Sequence, residues 1–378
     1  MRRSNSAYTL AFLLGALTCA CSELPEPTQA RDAGAITGIR FLADRTVSEF
    51  ARATETRTFQ FPQDHGAHPE YRNEWWYFTG NLIDSDLREF GFELTFFRFG
   101  LTPPDRPDSG GSESTSIWMA HFAMTDGASN SFFAADRLAR GNPSLAYASP
   151  SAFEVRIEDW SAEGLSETGL RLFAADAGYE LDLELDGLDA IMLQGDQGLD
   201  QKGPEPGNAS YYYSAPRLTV SGRISTPDLG PFDVSGLAWL DREWGTSALS
   251  PGVAGWDWFA LQLSDGTDLM YYRLRDENGQ ATEFSGGSLR AANGDTRELR
   301  DVHATATAFW TSPATGVRYP VAWALDIPEA ALELAVTPLI EDQELNLAVR
   351  YWEGAVRVSG TGTDGPLDGF GYLELAGY

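Results

Sequence analysis

The sequence predicts an all-β protein, and three observations support that prediction. Short runs such as RLTVSGRI (residues 217–224) and AVRYWEGAVRVSGTG (residues 348–362) alternate apolar and polar side chains, which is typical of half-buried strands. Turn signals such as SDG and ENG separate these runs and favour antiparallel hairpins. Sustained helical periodicity is scarce, and PEAALELAVTP (residues 328–338) leaves a choice between helix and strand.

An internal repeat indicates how the strands are grouped. Residues 75–98 resemble residues 256–273, and the first copy contains the longer hairpin. The copies align without a gap at four positions: Trp75 with Trp256, Phe78 with Phe259, Leu82 with Leu263, and Asp84 with Asp265. Two similar openings so far apart predict two related β-domains in tandem, which we place at residues 46–246 and 247–378.

The N-terminus has the pattern of a secretory signal. Arg2 and Arg3 precede an apolar run that is too short to span a bilayer, followed by small residues up to position 21. LTCAC resembles a bacterial lipobox with Cys21 as the lipidated residue, although Leu17 lies one place too far upstream. The pattern fits either a lipid anchor at Cys21 or ordinary signal-peptide cleavage near Cys21. We therefore expect an exported protein, periplasmic, membrane-anchored or secreted, with residues 22–45 as a tether.

Composition narrows the classes of partner. The chain has 55 acidic against 27 basic residues and a net charge of −28, which repels phosphate backbones and argues against a nucleic-acid partner. With 43% hydrophobic residues the chain can form packed cores. Its two cysteines, Cys19 and Cys21, both lie in the signal, so no disulfide is predicted in the body. The oligomeric state is left open.

Familiar cofactor and nucleophile motifs do not occur in the sequence. His65 and His68 are three residues apart, but Gly66 and Pro69 argue against a helix that would bring them onto one metal. No G-x-S-x-G elbow, Walker loop or Rossmann fingerprint is present. The sequence therefore predicts neither a metal site nor a cofactor. Two polar loops, residues 103–116 and 195–210, could cover a pocket.

The richest segment for chemistry is GLAWLDREWG (residues 236–245). In a strand, Trp239, Asp241 and Glu243 share one face, while the intervening side chains, Arg242 among them, share the other. Carboxylates in an apolar setting beside Trp rings have raised pKa values and can donate protons. The alternative is structural: Arg242 pairs with a carboxylate at the strand end.

Aromatic side chains supply candidate walls for a ligand site. GWDWFALQL (residues 255–263) puts Trp256 and Trp258 on one face, opposite Asp257 and the apolar Phe259, Leu261 and Leu263. Aromatic faces suit flat apolar ligands and can stabilise a developing cation, although core packing is the default role of any single Trp. In SYYYSAPRL (residues 210–218), Tyr213 follows a long loop and could bring its hydroxyl to a pocket mouth.

Several motifs together resemble the AttH/carotenoid 1,2-hydratase-like family. They are DHGAHPEYRNEWWYFTGNL, MAHFAMTD, GLAWLDREWGTS, GWDWFALQLSDG and the C-terminal YWEGAVRVSG…GYLELAGY, in the family's order from Phe59 to Tyr378. The resemblance implies two lipocalin-like antiparallel β-barrel domains packed together, which agrees with the internal repeat.

The resemblance also implies a type of chemistry. In the hydratase branch, water adds across a double bond without a cofactor, using a carboxylic acid, aromatic side chains and a positioned water. Asp241, Trp244 and Gly245 match the D-x-x-W-G pattern of that branch, but a His that lies between them there is absent here. The branch's acid, expected after a Tyr, is not evident, because Arg273 follows Tyr272. The chain looks more like the AttH-like secreted proteins called predicted hydrolases; related fungal pericyclases make a cyclase or isomerase conceivable.

Two hypotheses follow. The first is a cofactor-independent hydratase, isomerase or hydrolase acting on an apolar small molecule, with Asp241 and Glu243 as acid and base and Arg242 as orienter. The second is a carrier of hydrophobic ligands, which would tolerate Asp241→Asn and Glu243→Gln. Both use the same predicted ligand-binding side chains: Trp76, His121, Tyr213, Trp239, Trp244, Trp256, Trp258 and Tyr272.

HPEYRNEWWYFTG (residues 68–80) is predicted to open the first barrel. Its charged residues Arg72 and Glu74 are expected to tie that barrel to the second domain, at a cleft near residues 241–243.

Overall fold

The computed structural model describes residues 49–103, 115–246 and 249–378. The predicted signal, Cys21, the tether and most of the loop at residues 103–116 lie outside the described residues. Within the described part, the only helical elements are 3-10 turns at Gln63–His65 and Pro328–Ala330. None of the described helices is long and apolar enough to cross a membrane. The ambiguous segment at residues 328–338 is a 3-10 turn followed by a strand.

All described strands belong to two curled antiparallel sheets. The first contains β1 (Asn73–Asp84), β2 (Glu89–Gly100), β3 (Ser116–Asp126), β4 (Ser131–Arg140), β5 (Ala146–Ala148), β6 (Glu154–Ile157), β7 (Trp160–Gly164), β8 (Gly169–Asp176), β9 (Tyr179–Asp186), β10 (Met192–Leu193), β11 (Leu199–Gln201), β12 (Ala209–Ser225) and β13 (Phe232–Gly245). Their order is β4-β3-β2-β1-β13-β12-β9-β8-β7-β6-β5, with β10 and β11 paired to β12.

The second sheet follows in the chain. It contains β14 (Val253–Leu263), β15 (Asp268–Asp276), β16 (Gly286–Arg290), β17 (Thr296–Leu299), β18 (His303–Thr311), β19 (Arg318–Ile327), β20 (Leu332–Pro338), β21 (Glu344–Asn346), β22 (Arg350–Gly362) and β23 (Gly365–Ala376). Their order is β17-β16-β15-β14-β23-β22-β20-β19-β18, with β21 paired to β22. The all-β class with two tandem lipocalin-like sheets is therefore confirmed.

Each sheet buries one face in an apolar core of its own. In β1, Trp76 and Phe78 point into the first core, and in β14, Phe259 and Leu261 point into the second. The alternation follows from the two-residue period of a strand, so the side chains between them point to the opposite face. Full burial of such side chains stabilises the fold by about 1.5–3 kcal/mol each.

The internal repeat places equivalent residues at equivalent positions of the two sheets. β1 lies between β2 and β13, and β14 lies between β15 and β23 in the same way. In the register of these strands, Tyr77 is opposite Asp241, and its aligned counterpart Trp258 is opposite Glu374. Asp241 and Glu374 therefore occupy matching positions, which the sequence alone does not reveal.

The sheets pack on each other through the faces that point away from their cores. Tyr77, Tyr212 and Trp239 of the first sheet join Trp258 and Tyr272 of the second in a mixed cluster. Hydrogen bonds also cross between the sheets: the Gln262 side chain donates to the Ala238 carbonyl oxygen at 3.1 Å, and the Asn81 side chain donates to that of Gly371 at 3.1 Å. The strands at this contact, β1, β13, β14 and β15 among them, are therefore buried on both faces.

Candidate functional site

A cavity of about 170 Å³ lies between the two sheets, outside both apolar cores. That volume matches a cavity that holds a small aromatic ring. Its aromatic lining is Trp75, Tyr77, Phe97, Phe99, Tyr212, Trp256, Trp258, Tyr272 and Tyr351, and its acidic and basic lining is His121, Lys202, Asp241, Glu243, Arg350, Glu353 and Glu374. The site thus combines aromatic walls with several carboxyl groups.

Asp241 sits on the first wall of this cavity, at the centre of a hydrogen-bond network. The Ser214 hydroxyl and the Trp239 indole donate to its Oδ1 at 2.5 and 2.7 Å. The Tyr212 hydroxyl donates to its Oδ2 at 2.5 Å, and Tyr212 in turn accepts from the Trp258 indole at 3.1 Å. Burial raises the pKa of Asp241 to about 7, so the carboxyl can hold or release a proton near neutral pH.

Glu243 lies on the same face and forms a buried ion pair. The Lys202 ammonium is 3.1 Å from its Oε1 and 2.7 Å from Oδ2 of Asp200, and the Ser210 hydroxyl donates to Glu243 Oε1 at 2.5 Å. Burial raises the pKa of Glu243, and the Lys202 charge opposes that rise. Lys202 belongs to the polar loop at residues 195–210, so that loop does contribute to the cavity.

The opposite wall carries two further carboxyl groups. Glu374 on β23 accepts a hydrogen bond from the Trp256 indole at 3.0 Å, and Glu353 on β22 accepts one from the Tyr77 hydroxyl. Burial raises the pKa of Glu374 to about 8 and that of Glu353 well above its ordinary value. Both donors are uncharged, so burial favours the protonated form of each acid.

His121 lies on β3 of the first sheet and contacts the second sheet through Tyr351 of β22. Its Nδ1 lies 2.6 Å from the Tyr351 hydroxyl, which is also 3.0 Å from Oε1 of Glu93. Burial lowers the pKa of His121 to about 4, so the imidazole is neutral at physiological pH.

The structure brings together six of the predicted site residues around the cavity: His121, Asp241, Glu243, Trp256, Trp258 and Tyr272. Trp239 stands behind Asp241 and holds it through the indole hydrogen bond. The predicted alternation of faces along β13 and β14 agrees with these positions.

Four predicted site residues lie on the opposite face of the first sheet and do not reach the cavity. Arg242 donates to Oε2 of Glu74 at 2.7 Å, and its guanidinium stacks 3.7 Å over the Trp76 ring. Trp244 stacks on His68 with 3.8 Å between ring centroids. The Tyr213 hydroxyl is 2.6 Å from Nδ1 of His65. The reason is the strand period: these residues alternate with those that face the cavity, so Arg242 cannot orient a molecule there.

Glu74 also differs from its predicted role between domains. Glu74 is enclosed by Arg98 and Arg242, both within residues 46–246. The backbone N–H of Arg72 donates to the Thr246 hydroxyl at 3.1 Å, which also lies in that range. The cause is the same alternation, because Glu74 points away from the second sheet while its neighbour Trp75 lines the cavity.

Histidines and carboxylates do not converge as they would in a metal site. No group of three or more His, Cys, Asp or Glu side chains in the described ranges is arranged to hold a metal ion. His68 instead contacts Oδ1 of Asp64 at 3.1 Å through Nε2.

Sequence reasoning did not identify Lys202, Glu353 or Glu374, whereas Tyr212 belongs to the SYYYSAPRL run that was expected to bring a Tyr hydroxyl to a pocket. The signal for the two glutamates was present: each stands in an alternating strand, on the face opposite the core-facing Trp352 and Leu373. From the sequence alone, a Glu on the face opposite the core is predicted to face solvent, because the sheet that covers that face is not known.

Comparisons of sequence and of structure with known proteins both find AttH-like proteins and kievitone hydratases. The family model described as AttH-like matches residues 52–378. Kievitone hydratase of Fusarium solani subsp. phaseoli is 23% identical over 244 residues, which cover 60% of this chain and 66% of the hydratase. The match thus spans slightly less than two thirds of that relative.

Among solved structures, an AttH protein from Nitrosomonas europaea superposes with a TM-score of 0.78 at 34% identity, covering 87% of this chain and all of that one. Kievitone hydratase from Nectria haematococca superposes with a TM-score of 0.66 at 17% identity, covering 87% of this chain and 98% of that one. The second likeness shows a shared fold.

Proposed function

This chain belongs to the AttH-like family, and we propose that it is a hydratase-type enzyme that adds water to a carbon–carbon double bond of an apolar small molecule without a cofactor. The observation that carries the proposal is the Asp241–Tyr212 pair, a carboxyl group with a pKa near 7 at the wall of an aromatic cavity. The relationship to kievitone hydratase supports the same reaction class.

The proton reaches the substrate through Tyr212. When Asp241 is protonated, its own O–H becomes the donor in the 2.5 Å contact, which leaves the phenolic proton of Tyr212 free to face the cavity. That proton moves to one carbon of the double bond as the π electrons form the new C–H bond, and the Asp241 proton replaces it. Burial raises the pKa of Tyr212 well above its ordinary value, so it remains a neutral donor throughout.

Proton transfer leaves a carbocation on the neighbouring carbon, and the cavity stabilises it. The rings of Trp256 and Trp258 line the cavity, and aromatic faces attract cations. Water then forms the new C–O bond, and Glu243 takes the proton that the water loses. Glu243 then releases its proton to solvent and Asp241 takes one up, so the enzyme is restored and the net reaction is alkene plus water to alcohol.

Turnover is expected with a branched alkene, because protonation then gives a tertiary cation. The purified mature protein is incubated with prenyl compounds, polyenes and unsaturated fatty acids in water labelled with oxygen-18, and products are weighed by mass spectrometry. A product heavier by one labelled water supports the hydratase. Rearrangement at constant mass would make the chain an isomerase, contrary to the hydratase proposal, and tight binding of unchanged ligand would make it a carrier.

We also propose that the protein acts outside the cytoplasm, from the signal pattern at residues 1–21. Cell fractionation is expected to recover it outside the cytoplasm, and a form without these residues to remain inside. Cys21→Ala decides between the two modes of export: a shift from the membrane to the soluble exported fraction indicates a lipid anchor, and an unchanged distribution indicates simple cleavage. Recovery of the intact chain in the cytoplasm would contradict the proposal.

A further inference from the structure

Two polar atoms of cavity-lining residues, one on each sheet, lack hydrogen-bond partners. Nε2 of His121 and Oε2 of Glu353 are both buried and unpaired. Their residues are 0% and 1% exposed, and both line the cavity. A buried polar atom left unpaired costs about 1–3 kcal/mol, so such a pair at one cavity indicates a missing group.

The partners that these residues do have determine what the missing group must offer. Tyr77 donates to Oε1 of Glu353, so in the protonated acid the hydroxyl proton sits on Oε2 and needs an acceptor. Tyr351 donates to Glu93, so His121 donates to Tyr351 through Nδ1 and keeps a lone pair on Nε2 that needs a donor. The cavity therefore offers a donor on the second sheet and an acceptor on the first.

A hydroxyl group is the simplest function that both accepts and donates a hydrogen bond. A carbonyl oxygen satisfies Glu353 alone, and an ether likewise leaves His121 unpaired. A charged ligand is disfavoured, because it would need to be desolvated in a cavity lined mainly by aromatic and apolar side chains.

We propose that His121 and Glu353 form a binding site for a hydroxyl group of the substrate, with Glu353 donating to the hydroxyl oxygen and His121 accepting its proton. The ligands of the cavity are then apolar molecules that carry an alcohol or phenol group. His121 on β3 is separated from Asp241 on β13 by β2 and β1, so the site holds the hydroxyl away from the position where the proton is delivered. That the bound molecule is also turned over rests on the proposed hydratase, but the binding of its hydroxyl group does not.

The test compares ligands that differ only at this group. Geraniol, geranyl methyl ether and geranial share a branched chain, and their binding to the mature protein is followed by fluorescence of the Trp residues that line the cavity. Geraniol is expected to bind about tenfold more tightly than either of the other two. Equal affinity for the methyl ether, or for the aldehyde, would overturn the hydroxyl assignment.

Three variants test whether the preference for geraniol depends on the side chains of His121 and Glu353. Glu353→Leu and His121→Phe are each expected to reduce it severalfold, because each removes one hydrogen bond. Glu353→Gln is expected to retain it, because the amide N–H₂ replaces the acid O–H as donor. Circular dichroism and urea unfolding show whether each variant folds. A preference unchanged in a folded Glu353→Leu, or lost in a folded Glu353→Gln, would contradict the proposal.

This result is independent of turnover. Selective binding of geraniol without any hydrated product retains the hydroxyl site and rejects the hydratase. Hydration of ligands with no preference for a hydroxyl retains the hydratase and rejects the site.

Discussion

Replacement of Asp241 with Asn is expected to lower kcat/KM for the hydrated alkene by about 10²- to 10⁴-fold, the range contributed by a positioned general acid. Asn keeps the size of the side chain and can still accept from Ser214, Trp239 or Tyr212. It cannot supply a proton to Tyr212. The loss is therefore expected in kcat more than in KM, measured by steady-state kinetics on the alkene that the wild type hydrates.

Asp233 provides a matched control on the same strand. Its side chain is exposed at the other end of β13 and pairs only at the surface, with Arg223 at 3.0 Å. Asp233→Asn makes the same chemical change away from the cavity, so kcat/KM should stay within about twofold of wild type. An Asp241→Asn protein that folds and retains wild-type turnover would remove Asp241 from the mechanism.

The same acid predicts a pH profile. Asp241 must be protonated to act, and burial raises its pKa to about 7. kcat/KM is therefore expected to fall up to tenfold per unit above pH 7, and to fall again at acid pH where Glu243, the proposed base, becomes protonated. A level profile to pH 9 in a protein that remains folded would show that no acid of this pKa takes part.

The alternation within single strands could be predicted from the sequence. Period two placed Asp241 and Glu243 on one face of β13 and Arg242 on the other, and the structure agrees. It could not say which face meets a cavity, because both faces carry aromatic and charged side chains. Arg242 therefore entered the predicted site, although it lies in a buried network on the far side of the sheet.

The second wall could not be predicted, because it depends on contacts between distant parts of the chain. Glu374 meets Trp256 and Trp258 only through the pairing of β23 with β14, strands more than a hundred positions apart. Glu353 stands beside it through a further pairing. In a sheet with one buried face, a Glu on the other face is predicted to meet solvent. Here the first sheet covers that face, so the same alternation produces a buried acid.

Breaking the buried pair of Glu74 and Arg242 is expected to lower the free energy of unfolding by about 3–5 kcal/mol. Both side chains are fully buried, 2.7 Å apart, and Glu74 also pairs with Arg98. Arg242→Met therefore leaves Glu74 with one cation fewer in an apolar setting, and Glu74→Leu leaves two guanidinium groups without their carboxylate. Urea unfolding of each single variant measures the effect.

The exposed pair of Arg171 and Asp182 is the control for this experiment. Its atoms are also 2.7 Å apart, but in solvent, so Asp182→Asn should cost less than about 1 kcal/mol. The double variant with Glu74→Leu and Arg242→Met should regain part of the lost stability. With both partners removed, no unpaired charge remains at the Arg242 position. A folded Arg242→Met protein of full stability but without turnover would instead support the predicted orienting role.

The pH dependence of stability separates the charge of this network from its packing. Although burial alone raises it, Arg98 and Arg242 hold the pKa of Glu74 well below its ordinary value of 4.5. A depressed carboxyl pKa stabilises the folded state above that ordinary value, and the contribution is lost as the pH falls through the folded pKa. The wild type should therefore lose stability on acidification below pH 4.5, and Glu74→Leu should lose less, because it has no carboxylate to protonate. Equal acid sensitivity in both proteins would mean that Glu74 stabilises the fold by packing and not by its charge.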